Sequence, residues 1–472
     1  MTTHNIIPIK KFSIEKFRDE INNISPSFCA AKWKQVTMHL QTGHTHSCHH
    51  PRTHKIPLEE LAINPSALHN TEFKKQQRKM MLEGERPSEC DYCWKVEDES
   101  NSLSDRIMKS SESWAKPYID NIINKPWDDN VIPSYVEVSF GNVCNFKCSY
   151  CSPNISSQWM EEIEKYGEYP TSSKFNNLDW LKRTDQMPIS NKDENPYVDA
   201  FWKWWPTAYR ELEHFRITGG EPLLNKNTFK ILDYIIENPN PNLDFSINSN
   251  MCPPDKLLNE FIEKIKIIVF EGKVKRFKLF TSAEAYGAQS EYIRHGMNYD
   301  LWIRNIERIL TEVPGISFTI MSTYNALSVT SYSEFLEDIL KLKKKFYRPE
   351  FNFSAVGLDI PYLRHPEHQS IFILTEDFVK NVFENVEFMY NHSDDINNDG
   401  PHQGFYRHEI MRMRRIYELM LTHFKENSES PNIINRKDFV VFVDEHDRRR
   451  GTNFLETFPQ MTEFYNYCKQ IK

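Results

Sequence analysis

A chain of 472 residues with 31 Phe, 21 Tyr and 10 Trp has the material for a large core and exceeds one ordinary domain. Its net charge of -8 is spread along the chain, which argues against a binder of phosphate backbones, so no nucleic-acid partner is expected. No run approaches the ~20 apolar residues of a membrane span, and the start MTTHNIIPIKKF lacks the apolar segment of a secretory signal. Nine cysteines without such a signal then read as reduced thiols in a cytoplasmic protein with no membrane partner.

Residues 1–125 read as a Cys/His-rich module. It holds Cys29, Cys48 and the C-x2-C pair Cys90 and Cys93, and HLQTGHTHSCHHPRTH (39–54) carries six histidines in sixteen residues. Four cysteines make a complete ligand set by themselves. His44, His46, His49, His50 and His54 therefore read as surface groups or as groups behind the ligands, with a Cys/His zinc site as the alternative. The segment from Pro126 to Pro133 reads as a linker.

Residues 126–375 alternate short β-rich runs with amphipathic stretches. The runs are 134–140, 214–218, 244–248, 277–282, 316–322 and 350–356; the helical patterns are 227–237, 255–265, 299–310 and 332–346. That alternation predicts βαβ units around a parallel sheet: a partial or full α/β barrel, or a doubly wound open sheet. An interruption at about 166–213 carries FWKWWP (201–206), either a small satellite core or a lid or partner-binding surface.

VCNFKCSYCSPN (143–154) follows the first strand directly. Its spacing, C-x3-C-x2-C, supplies three thiols in eight residues, and no other Cys or His lies between Cys93 and His214. A structural zinc site would be one ligand short, whereas a [4Fe-4S] cube bound through three irons keeps an open fourth position. The second strand ends in RITGGEPLLN (216–225), which places two of only 14 glycines side by side, where backbone can approach a ligand closely. On the third strand Ser246, Asn248 and Asn250 alternate and share a face. The fourth ends in TSAEAYG, followed by YIRHG (292–296).

The chain resembles the radical S-adenosylmethionine (SAM) superfamily, on CNFKCSYC with Tyr150 before the last cysteine and on Gly219, Gly220, Glu221 and Pro222 as a GGEP motif. The resemblance implies a partial (β/α)6 TIM-like barrel whose Cys144, Cys148 and Cys151 hold a catalytic [4Fe-4S] cluster with SAM on the open iron. It further implies cofactor contacts from Tyr150, Gly219, Gly220, Glu221, Ser246 and Asn248, and from Ser282 and Arg294, the latter pairing with the SAM carboxylate. VGLD (356–359) would lie near adenine. The pieces around Cys29, Cys48, Cys90 and Cys93 resemble a SPASM or twitch module, which implies an auxiliary [4Fe-4S] cluster, although here the pattern precedes the barrel. Glu284 and Ala285 depart from the pattern of peptide-modifying relatives.

Residues 376–472 read as a mostly helical extension, with 408–424 strongly amphipathic and 439–459 as a strand leading into a charged loop where Asp444, Asp447 and Arg448 to Arg450 form surface ion pairs or contact a substrate. The basic runs at 343–345 and 448–450 read as solvated faces. Cys252 and Cys468 lack partner spacing; Cys252, just after the third strand, reads as packing, with a catalytic thiol as the alternative. The resemblance implies hydrogen abstraction from a peptide, the favoured substrate, or from a nucleotide, sugar or other small molecule, fed by a donor such as flavodoxin or ferredoxin. A non-catalytic Fe–S or zinc-binding interaction or sensor protein is the competing expectation.

Overall fold

The computed structural model describes residues 14–100, 102–174, 176–393, 402–426 and 432–471; the expectation for MTTHNIIPIKKF lies outside them. The chain divides into two compact units, Met1–Val138 with Glu194–Phe215, and Ser139–Asp193 with Arg216–Lys472.

In the first unit β1 (Gln35–His39) and β2 (His44–His46) form an antiparallel hairpin, and β3 (His54–Lys55) pairs antiparallel with β2. The histidines of this hairpin are interior groups and not surface ones: His44 is 3% and His46 7% exposed. The turn needs Gly43 at φ +67°, where a Cβ would stand 2.2 Å from the Tyr197 ring. Helices Ile14–Ile24, Glu72–Leu82, Asp91–Glu99 and Asp105–Ser111 surround a core that includes Phe17, Phe28, Trp33, Met81, Trp94 and Trp114. FWKWWP falls in helix Pro196–Ala208, whose first turn is capped by the Asn195 side chain; it buries Phe201, Trp204 and Trp205. That stretch is therefore core packing.

The chain continues through β4 (Tyr135–Ser139), β5 (Lys147–Cys148), β6 (His214–Thr218), β7 (Asn240–Asn248), β8 (Val274–Ser282), β9 (Arg294–His295), β10 (Ser317–Met321), β11 (Tyr347–Arg348), β12 (Phe353–Ser354) and β13 (Val356–Asp359). The unit boundary falls inside β4 and inside β6. The strand order β4-β6-β7-β8-β10-β13 never reverses, and the pairs β7–β8, β8–β10 and β10–β13 are parallel. A doubly wound sheet would reverse at a switch point; this order is that of a TIM-like sheet, with loops after the strand ends free to carry chemistry. Helices Lys226–Glu237, Asp255–Phe270, Tyr299–Glu312 and Tyr332–Lys345 supply the crossovers, each burying residues at helical spacing such as Ile231, Leu232 and Ile235.

Three expectations shift. The run at 350–356 is not one strand: it splits between the hairpin β11–β12 and the parallel strand β13. Residues 439–450 are not a strand but the end of helix Ile433–Arg450, because Arg436, Phe439, Val443 and His446 recur at helical spacing and are buried together. The basic runs are not wholly solvated either. Lys343 and Glu409 pair at 3.0 Å with both side chains fully buried, and the Arg450 side chain, paired with Glu162, has no exposure.

Glu409 lies on helix Arg407–Glu426 and also accepts from the backbone N–H of Leu358 at 2.7 Å, on edge strand β13. No helix among the described residues is long and apolar enough to cross a membrane. Glu409→Ala leaves the Lys343 ammonium buried and unpaired, so urea unfolding should show a loss of about 3–5 kcal/mol. Removing the exposed Lys345, paired with Glu307, should change stability by less than about 1 kcal/mol.

Candidate functional site

The loop after β4 is fixed from several sides before any ligand enters. Trp159 Nε1 donates to the Cys148 carbonyl at 2.8 Å, Ser156 Oγ to the Phe146 carbonyl at 2.8 Å, and Cys151 N to the Cys148 carbonyl at 2.9 Å. Cys148 itself lies in β5, which pairs antiparallel with β9 so that Cys148 and Arg294 are register partners. Cys144, Cys148 and Cys151 line one cavity of about 370 Å³ with Tyr150, Gly219, Gly220, Asn248, Asn250 and Ser282. Burial pushes all three thiols up, Cys151 to about 12. They are thus neutral until a metal displaces their protons.

The GGEP turn is held by main chain. Gly220 N donates to the Gly141 carbonyl at 3.3 Å and Glu221 N to the Val143 carbonyl at 2.7 Å. A Cβ on Gly220 would stand 2.2 Å from the Val143 carbonyl oxygen, and one on Gly219, at φ +121°, 2.5 Å from Ser139 Oγ. The two glycines thus admit the backbone of the cysteine loop itself, a closer neighbour than the ligand the sequence suggested. Glu221, 1% exposed, is not itself part of the cavity lining. Its carboxylate accepts from Leu223 N at 3.0 Å, Ser249 Oγ at 2.8 Å and Asn250 N at 2.6 Å, tying the ends of β6 and β7 together. Burial pushes this carboxyl up to about 7 against those donors.

The remaining expected residues divide. Asn248 and Ser282 reach the cavity, and Asn248 accepts from Arg216 Nε at 2.9 Å. Ser246 lies one step back on the same face and does not line it. Cys252 is also absent from the lining: its Sγ faces the Asn298 carbonyl, and its own carbonyl accepts from Asn145. Arg294 lines the cavity, but its guanidinium is engaged with Glu284, Tyr150 and Cys148. Asp447 accepts from Tyr292, Thr452 and Phe454, and so serves the fold. Sequence reasoning passed over Ser249 and Thr323, which also line the cavity. Their positions just past strand ends were the available signal.

In the first unit Cys29, Cys48, Cys90 and Cys93 line one small cavity together with Lys32, His50 and Asp105, and all four are free thiols. Burial pushes Cys90 up to about 11 and Cys48 to about 12. The Lys32 ammonium, buried and paired with Glu89, favours the Cys90 thiolate. Among the described residues no three cysteine sulfurs lie within 4.8 Å of one another. Tetrahedral zinc with Zn–S bonds of about 2.3 Å would hold them roughly 3.8 Å apart. The trio that does meet is His49, His50 and Asp105, with the His50 and His49 Nε2 atoms 2.6 and 3.3 Å from Asp105 Oδ2.

The sequence of residues 138–339 matches the Radical SAM superfamily. The chain carries a radical SAM domain. A stretch of 134 residues, 28% of the chain, is 27% identical to a GTP 3′,8-cyclase of Nautilia profundicola (strain ATCC BAA-1463 / DSM 18972 / AmH) and spans 31% of that protein. The radical SAM domain implies an enzyme using a [4Fe-4S] cluster and SAM, and the residues present fit both. Three soft thiol donors line the cavity together with a glycine turn and polar residues at the ends of β7 and β8.

Because the Gly220 contact is with backbone, Gly220→Ala should destabilise the protein by about 1–3 kcal/mol or more and lower the iron it takes up. Gly357→Ala, whose Cβ would meet nothing nearer than 3.7 Å, should do neither. Urea unfolding and iron analysis of both variants check this.

Proposed function

We propose that the protein is a radical SAM enzyme in which Cys144, Cys148 and Cys151 hold the [4Fe-4S] cluster and Gly219, Gly220, Asn248 and Ser282 seat SAM. The observation that carries this reading is the convergence of exactly three cysteines and the double-glycine turn on one cavity at the strand ends. When bound, the reduced cluster would cleave SAM and supply a 5′-deoxyadenosyl radical for hydrogen abstraction from the substrate. The chain's own part is positional. Glu221 locks the turn to the third strand, and Trp159 and Ser156 fix the cysteine loop.

The four cysteines of the first unit are proposed as an auxiliary [4Fe-4S] site of twitch-like type. That four thiols line one cavity, a complete ligand set without any histidine, supports this reading. The substrate is proposed as a peptide or small molecule and the electron donor as a flavodoxin or ferredoxin. The likeness to a protein named for GTP makes a nucleotide the small molecule to test first.

After anaerobic reconstitution with iron and sulfide, dithionite and SAM should yield 5′-deoxyadenosine. Cys148→Ala should abolish it, while Cys90→Ala should bind less iron yet still cleave SAM without coupling to substrate. A fully reconstituted wild-type protein that never forms 5′-deoxyadenosine overturns the enzymatic reading. Identical losses in both variants overturn the assignment of two separate sites.

A further inference from the structure

We propose that Arg294 is a positioning residue for the cluster and not the clamp of the SAM carboxylate: held by Glu284, its guanidinium sets the charge felt at Cys148 and hence how readily the cluster is reduced. This rests on the reading above that Cys148 is a cluster ligand.

The backbone fixes the arrangement first. Cys148 and Arg294 face each other across the β5–β9 ladder, and Ser149 N donates to the Ile293 carbonyl at 2.7 Å. Gly296, at φ +106°, lets this segment approach, because a Cβ there would stand 2.6 Å from the Asn145 carbonyl oxygen. Neither partner can drift from the other without breaking that ladder.

The donor count comes next. A guanidinium has five N–H groups. Arg294 Nε and Nη2 donate to Glu284 Oε2 at 2.9 and 2.7 Å, Nη2 donates also to the Tyr150 hydroxyl, and Nη1 donates to Cys148 Sγ at 3.6 Å. Those bonds commit four of the five groups, and a bidentate grip on a second carboxylate needs two. The residue that departs from the family pattern, Glu284, is therefore the one that redirects the arginine.

Burial gives the charge its reach. The Arg294 and Glu284 side chains are 7% and 0% exposed, so the pair acts through a medium of low dielectric. Reduction brings one electron from an external donor, dithionite in the test, to the cluster. With Cys148 as a ligand, the added negative charge would lie beside the guanidinium, and no bond at Arg294 would form or break. Removing the cation should make reduction harder, and removing its counter-anion should make it easier. A second buried arginine, Arg450, donates to Glu162 and, at 2.7 Å, to the Lys147 carbonyl, and among the described residues to no sulfur.

The test is an electrochemical titration of the reconstituted, anaerobic full chain, following by electron paramagnetic resonance the reduced signal that changes when SAM is added. Arg294→Gln should lower the reduced fraction at a fixed potential about tenfold, a downward shift of ~59 mV for one electron. Glu284→Gln should shift the midpoint upward, Arg294→Lys should fall between wild type and Arg294→Gln, and SAM affinity, read from the same signal, should stay near wild type. The proposal is overturned if the Gln variants shift the midpoint in the same direction or not at all. It is equally overturned if Arg294→Gln loses SAM affinity about tenfold or more at an unchanged midpoint, the result a carboxylate clamp would give. Should Arg294→Gln take up no iron, Arg294→Lys and Glu284→Gln carry the comparison by the opposite signs of their shifts. A wild-type protein with no SAM-responsive signal would instead overturn the functional reading itself.

Discussion

The cavity of the second unit depends on a main-chain contact too close for any side chain. With only hydrogen at the Cα of Gly220, the turn after β6 reaches the carbonyls of Gly141 and Val143. From that contact the rest follows: Glu221 N bonds the cysteine loop while its carboxylate bonds Ser249 and Asn250 after β7. Three consecutive strand ends are thus joined through one turn. The same turn and the three thiols line one cavity.

Buried charge pairs do the remaining work of fixing position, and each is placed where a lone charge would be costly. Lys343 and Glu409 bind a helix to the edge strand of the sheet. Arg450 and Glu162 bring the end of helix Ile433–Arg450 to the cysteine loop, where Arg450 also holds the Lys147 carbonyl. Arg294 and Glu284 lie closest to a sulfur. The same chemistry therefore serves packing at the sheet edge and electrostatics at the site, and the difference is what the cation touches besides its carboxylate.

The parallel strands and crossover helices were legible in the sequence because each is a short periodic run whose burial matches its period, as in β6 with Phe215 and Ile217 inside. The cysteine loop was legible because ligand chemistry demands its spacing. Less could be read where contact partners are remote in sequence. Nothing in YIRHG shows that Glu284, ten residues earlier, would take the arginine's donors. The run FVVFV has the composition of a strand, but its neighbours Arg436 and His446 are buried on the same helix, and tertiary packing overrode the local preference. Ser246 and Asn248 share a face, yet only the one nearer the strand end reaches the cavity.

The central claim is that three protein thiols leave one iron open for SAM. Electron–nuclear double resonance on the reduced protein, with SAM carrying ¹⁵N in its amino group, addresses this directly. A ¹⁵N coupling on the cluster signal that vanishes with unlabelled SAM is the expected result. A SAM-saturated sample with the full cluster signal and no ¹⁵N coupling would contradict it, because the fourth iron would then be held by something other than SAM.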